Sequence, residues 1–209
     1  MKILSAIVVG AALAAAAAAA PLATTLTLTA TPTSVVYGKA LTLSGALSPA
    51  KANQNVKLTA TECGQSASKT IATVKTNASG AYTSPATPTV NTIYQATQKA
   101  TKSPTVVVTV APVLKLQRVA RGSYKVSVTS ALDLKGKAVL FQRYSKTRKR
   151  WVQVKRVVLA TTTPGTKPTI VTSAAFKAKV ARRVRVRAVL SKAQAAPCYI
   201  AATSNSVRA

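Results

Sequence analysis

An all-β fold is predicted for this 209-residue chain, built as two tandem antiparallel β-sandwiches behind an N-terminal export signal. Three observations predict it. Short runs alternate apolar residues with Thr, Ser or Lys, the two-residue period of half-buried strands. Gly, Pro, Asn and Ser punctuate those runs about every 8 to 12 residues. No window beyond residue 20 carries a helical stripe.

The chain begins with a short positive start, Met1-Lys2, followed by an unbroken, weakly apolar run over residues 3–20. This is the pattern of a signal peptide, residues 1–23, with the cut expected after Ala19 or Ala23 because Pro21 disfavours cleavage directly before it. The other reading of the run is an uncleaved membrane anchor. About half of the run is alanine, only marginally hydrophobic, and one charge flanks it, so the signal is the favoured reading. The mature protein is therefore expected outside the cell or at the cell envelope.

Residues 24–111 show seven strand-like runs, at 25–30, 40–47, 56–62, 71–76, 82–86, 92–98 and 105–110. In the third, Val56, Leu58 and Ala60 are expected to point inward while Lys57, Thr59 and Thr61 face water. Asn77-Ala-Ser-Gly80 supplies residues suited to a tight turn. Residues 112–209 show seven more, at 114–119, 123–130, 137–144, 151–159, 169–176, 182–190 and 199–207. Two seven-strand sets of this length fit two sandwiches better than one large barrel, with the boundary at Ala111-Pro112 and no flexible Gly/Ser linker between them.

The stretches Leu26-Thr-Leu-Thr-Ala-Thr-Pro32, Tyr37-Gly-Lys-Ala-Leu-Thr-Leu-Ser-Gly45, Asn77-Ala-Ser-Gly-Ala-Tyr82 and Thr92-Ile-Tyr-Gln-Ala96 resemble the immunoglobulin-like repeats of secreted actinobacterial proteins. Residues 24–111 carry most of the likeness. Residues 112–209 resemble such repeats more loosely, through Gly136-Lys-Ala-Val-Leu-Phe-Gln-Arg143, Trp151-Val-Gln-Val154 and Arg185-Val-Arg-Ala188, and Val186 stands where the first block has Tyr94. The resemblance implies immunoglobulin-like sandwiches in a secreted spacer, adhesion or surface-binding module. It transfers no catalytic residue.

Charge narrows the function further. The chain has 30 Lys and Arg, two Asp and Glu, no His and a net charge of +28. Paired-carboxylate, His-triad and carboxylate-metal chemistries lack their residues, so no enzyme activity, cofactor, metal or small-molecule substrate is expected. A Ser-Lys or Cys nucleophile is conceivable, yet no local motif singles out a pair. Hydrophobic residues at 48% separate the chain from a disordered basic tail. Residues 24–111 hold seven Lys, no Arg and Glu62, whereas residues 112–209 hold eleven Lys, all eleven Arg and Asp133. That asymmetry marks the second block as the anion-binding half.

Two patterns within it carry the candidates. Placing Val184, Val186, Ala188 and Leu190 in the core puts Arg183, Arg185 and Arg187 in a row on the opposite face, about 6.6–6.8 Å apart. The second is Arg143, Lys146, Arg148, Lys149 and Arg150 crowding a hairpin connection, flanked by Tyr144 and Trp151, which could stack on a ligand ring. An alternating Val/Arg strand also guards a sheet against aggregation, and a Trp beside a hairpin commonly packs across strands. The expected partners are anionic polymers: wall phosphopolymer, acidic polysaccharide, nucleic acid, or an anionic membrane surface. A purely structural spacer or adhesion module is the alternative, and an extracellular nucleic-acid binder a less favoured one.

In an exported chain without His, Cys63 and Cys198 suggest a disulfide rather than zinc. Counting alternating strands brings both to the junction of the two blocks, where a bridge would lock them into a rod. Two free thiols or an intermolecular bond are the other readings.

Overall fold

The computed structural model describes residues 23–209, so the expected signal lies outside the described residues except for Ala23. Over that span the chain is all-β, with several antiparallel sheets and one short helix. No helix among the described residues is long and apolar enough to cross a membrane.

Residues 25–111 supply β1 (Thr25–Leu26), β2 (Thr29–Thr31), β3 (Ser34–Val36), β4 (Leu41–Ser48), β5 (Asn55–Glu62), β6 (Lys69–Lys75), β7 (Ala81–Ala86), β8 (Thr92–Gln98), β9 (Thr101–Lys102) and β10 (Val106–Ala111). One sheet has β1 and β2 on one side of β4 and β7 on the other. The other runs β3-β10-β8-β5-β6, with β9 on β8. The alternation of β5 is the expected one: Val56, Leu58 and Ala60 are buried, and Lys57 is exposed. Burial of these apolar side chains, with Leu43, Tyr82, Tyr94 and Val108 from neighbouring strands, drives the two sheets together.

The reading of residues 25–30 as a single strand is corrected. The chain breaks between β1 and β2 because the Thr27 carbonyl accepts the Tyr82 hydroxyl proton. Ala46 N–H turns instead to Thr27 Oγ1, at 2.9 Å, so a side chain replaces the backbone acceptor in the ladder. Gly45 makes the approach feasible, since a Cβ there would run into the Thr27 carbonyl and the Tyr82 hydroxyl. Pro32 then has no N–H to donate, and the chain crosses to the other sheet, where β3 pairs parallel with β10.

Residues 113–208 supply β11 (Val113–Ala120), β12 (Ser123–Ser130), β13 (Ala138–Ser145), β14 (Arg150–Val158), β15 (Thr161–Pro164), β16 (Ile170–Lys177), β17 (Arg185–Leu190), α1 (Lys192–Ala195), β18 (Ala202–Thr203) and β19 (Val207–Arg208). One sheet runs β11-β12-β16-β15 and the other β14-β13-β17-β18, with β19 also on β17. Tyr124, Phe141 and Phe176 meet between them, with ring centroids 4.8, 5.0 and 5.7 Å apart. Two expected strands are corrected here. Residues 199–207 form two short strands separated at Ser204-Asn205-Ser206, and the strand expected from 182 begins only at Arg185. The short elements β15 and α1 were not expected from the residue pattern.

The same local device interrupts a strand in both halves. Ser103 N–H donates to the Ala96 carbonyl at 2.9 Å while its Oγ accepts Ala96 N–H at 2.9 Å and donates to the Pro104 carbonyl at 2.8 Å. Ser204 repeats this with Ala188, at 2.9 and 2.9 Å, and donates to the Asn205 carbonyl at 2.7 Å. In each case a hydroxyl replaces a ladder acceptor, which keeps a buried N–H satisfied where the strand steps aside.

The halves meet at a bonded junction. Cys63, just past β5, and Cys198, after α1, form a disulfide with Cα atoms 5.3 Å apart. Asn91 stitches the same place: its N–H donates to the Cys198 carbonyl at 2.9 Å, its Nδ2 to the Pro197 carbonyl at 2.9 Å, and its Oδ1 accepts Val110 N–H at 2.8 Å. Ile200 N–H reaches the Val110 carbonyl at 2.9 Å, and the Tyr37 hydroxyl meets Thr169 Oγ1 at 3.1 Å.

Candidate anion-binding site

Strand direction sorts the cations of the second half by end. β12 starts where β16 ends, since Ser123 pairs with Lys177, and both termini lie opposite the Cys198 end. The β13–β14 hairpin and the start of β17 lie there too, because Arg143 pairs with Val186 and Ser145 with Arg150. This pole therefore gathers Arg121 from the β11–β12 turn, Lys146, Arg148, Lys149 and Arg150 from the hairpin, Lys177 from the end of β16, and Lys179, Arg182 and Arg183 from the β16–β17 connection. Arg185 and Arg208, paired across β17 and β19, join them. The chain's two carboxylate side chains are elsewhere. Glu62 ends β5, and Asp133 sits in the turn before β13, at the other end of this half. Lys135 N–H at 2.9 Å and the Thr162 hydroxyl at 2.9 Å hold the Asp133 carboxyl below its ordinary range.

The outer face of the β14-β13-β17 sheet leads into this pole. In register, Gln142 faces Arg187 and Gln153, and Tyr144 faces Trp151. The Arg187 guanidinium lies 4.2 Å from the centre of the Trp151 ring, and its Nε donates to Gln142 Oε1 at 2.9 Å. Partial burial lowers the Arg187 pKa. Trp151 in turn meets Tyr144 edge-on, with centroids 5.5 Å apart. One side of the indole is thus occupied by the chain's own arginine.

The three-arginine row is corrected accordingly. Arg185 and Arg187 share the outer face of β17, but Arg183 precedes the strand in a left-handed turn, with φ 64°. Its N–H donates to the Ala209 carbonyl at 3.0 Å, which clips the turn to the segment after β19. Arg143 pairs with Val186 and so lies on the opposite face of the sheet from Tyr144 and Arg187. Lys146, Arg148, Lys149 and Arg150 are exposed at the hairpin, where Lys149 also adopts a positive φ of 47°.

Beside the hairpin, Tyr144, Lys146, Arg183, Val184, Arg185 and Arg208 line a cleft of about 420 Å³. A broader concavity of about 740 Å³ opens at the same pole between Arg121-Gly122 and residues 177–181. Arg208 was not legible as a member of any cluster, because its neighbours Val207 and Ala209 give no charge pattern; only the β17–β19 pairing brings it in. Chemically, the arrangement offers several donors and no acidic side chain, which suits an oxyanion. Among the described residues, no group of three His, Cys, Asp or Glu gathers as a metal site would require. Neither a known protein family nor any curated protein matches the chain.

Proposed function

We propose that this is an exported, non-enzymatic protein of two tandem immunoglobulin-like sandwiches that binds polyanions at the cell envelope or outside the cell, through the basic second half. The observation that carries this reading is the convergence of cations from three connections and two strand ends on the pole farthest from the first half, away from both carboxylates. Uncompensated charge of this density destabilises a fold unless counterions or a partner neutralise it. A linear polyanion does so by multivalent contacts, releasing its own condensed counterions. The first half acts as a spacer, a role supported by the covalent and hydrogen-bonded junction. That junction also supports the second reading, a structural or adhesion module without a specific ligand.

A salt series separates the two. Binding of linear polyphosphate, heparin and single-stranded DNA should weaken steeply with salt, log K falling linearly with log salt by about one slope unit per contact. Removing Lys146, Arg148 and Arg150 together should reduce that slope. Negligible binding to all three polymers at moderate salt would sink the polyanion reading in favour of the spacer.

A further inference from the structure

We infer that the cleft between the β13–β14 hairpin and the start of β17 is a discrete site for a phosphoryl group, held by Arg183, Arg185, Arg208 and Lys146 with Tyr144 as its wall. The inference rests on the polyanion reading above and adds to it a place and a ligand chemistry. Arg185 and Arg208 are direct cross-strand partners in an antiparallel pair. Both stand on the outer face, since the next partners in register, Val186 and Val207, turn to the other side. Like charges set opposite one another repel, and a merely solvated face gains nothing from that placement. Arg183 carries a second cost, a left-handed backbone at φ 64° in a residue with a full side chain. Ala209 N–H, donating to the Val184 carbonyl at 2.9 Å, helps hold that turn in place.

Two local penalties, each bringing an arginine to one concavity, are offset together when an oxyanion sits between the guanidinium groups. A phosphoryl group accepts several donors at once, and arginine presents its donors as a planar fork. The cleft, at about 420 Å³, falls within the usual size of small-ligand sites, about 300 to 1,000 Å³. Arg187 is not a ligand residue here. Stacked on Trp151 and bonded to Gln142, it positions the indole against which Tyr144, the cleft wall, packs edge-on.

The test titrates the folded protein with inorganic pyrophosphate and follows backbone amide shifts by heteronuclear NMR. Saturable one-to-one binding is expected, with the largest shifts at residues 183–186 and 207–209. Arg185→Ser and Arg208→Ser should each weaken it about tenfold, whereas Lys75→Ser, on β6 of the first half and outside the cleft lining, should leave it unchanged. Thermal midpoints give an independent reading: Arg208→Ser should melt higher than wild type without phosphate and lower than wild type in excess pyrophosphate. Shifts spread evenly over all exposed cations, or an Arg208→Ser variant less stable in both buffers, would overturn the cleft. Long polyphosphate still binding steeply with salt would then leave the wider polyanion reading standing, and loss of that binding as well would remove both. Competition identifies the source. Pyrophosphate releasing the protein from phosphatidylglycerol vesicles assigns the site to lipid phosphoryl groups, and releasing it from soluble polyphosphate assigns it to polymer; releasing it from neither overturns the cleft.

Discussion

Arg187 and Trp151 come from strands separated by β13, yet the guanidinium lies 4.2 Å from the centre of the indole ring. The contact uses the diagonal across β13, and Gln142 fixes its direction by accepting from Nε. An arginine in the middle of a strongly basic face is thereby given a packing role.

Replacing Trp151 with Leu should lower unfolding free energy by about 1–2 kcal/mol, the sum of a partly desolvated cation–π contact and a lost aromatic pair. Denaturant melts should show the midpoint falling with an unchanged slope. Arg187→Lys should retain part of this stability but lose the bond to Gln142, so the two variants are expected to differ measurably.

Gly45→Ala should be among the most damaging small changes in the first half. Its Cβ would meet the Thr27 carbonyl and the Tyr82 hydroxyl, and overpacking of that kind costs about 1–3 kcal/mol. Tyr82→Phe alone should cost about 1 kcal/mol by leaving the Thr27 carbonyl without its donor. Combined, the two should cost less than their sum, because removing the hydroxyl relieves part of the clash. A double-mutant cycle measures this, and strict additivity would count against it.

Alkaline and acid behaviour should be unequal. Burial pushes the Tyr82 and Tyr94 hydroxyls up to about 12 from 10.0, so the folded state keeps protons that the unfolded chain releases. Their contribution is fully present below pH 10 and is lost as pH rises from 10 towards 12. Absorbance at the phenolate band should show these tyrosines ionising late, together with unfolding. On the acid side, Asp133 has its carboxyl held low, and its small contribution fades as pH falls through its ordinary range. With two acidic residues in the chain, stability should change little between neutral pH and pH 3, as circular dichroism melts can verify.

Reduction of Cys63–Cys198, or the Cys63→Ser/Cys198→Ser double variant, should lower stability by about 2–4 kcal/mol, because the bond closes a loop with a sequence separation of 135. Removing the Asn91 side chain in that background should loosen the junction further, widening the distribution of distances between labels at Lys57 and Lys192.

The period-two alternation in β5, β12 and β17 was readable because water and core impose it residue by residue: Val56, Val126 and Val186 are buried with exposed neighbours at Lys57, Lys125 and Arg185. The break at Thr27 was not, since its cause is Tyr82, which lies 55 residues away along the chain. Asn91 carries no signal in the local sequence, and only the folded junction gives its side chain two partners. Among the candidate cations, the hairpin group could be read from local sequence alone. Arg208 and the turned-away Arg143 depend on strand register, which no local window contains.

The bond at the junction also has a mechanical meaning. When the two ends of the chain are pulled apart, tension entering before Cys63 passes through sulfur to Cys198 and leaves the intervening residues unloaded. Stretching can then unravel only the segments before Cys63 and after Cys198, while β6 to β17 ride on a covalent bypass. The hairpin cations lie inside that sheltered loop, so their arrangement would survive a load that strips away β1 and β19.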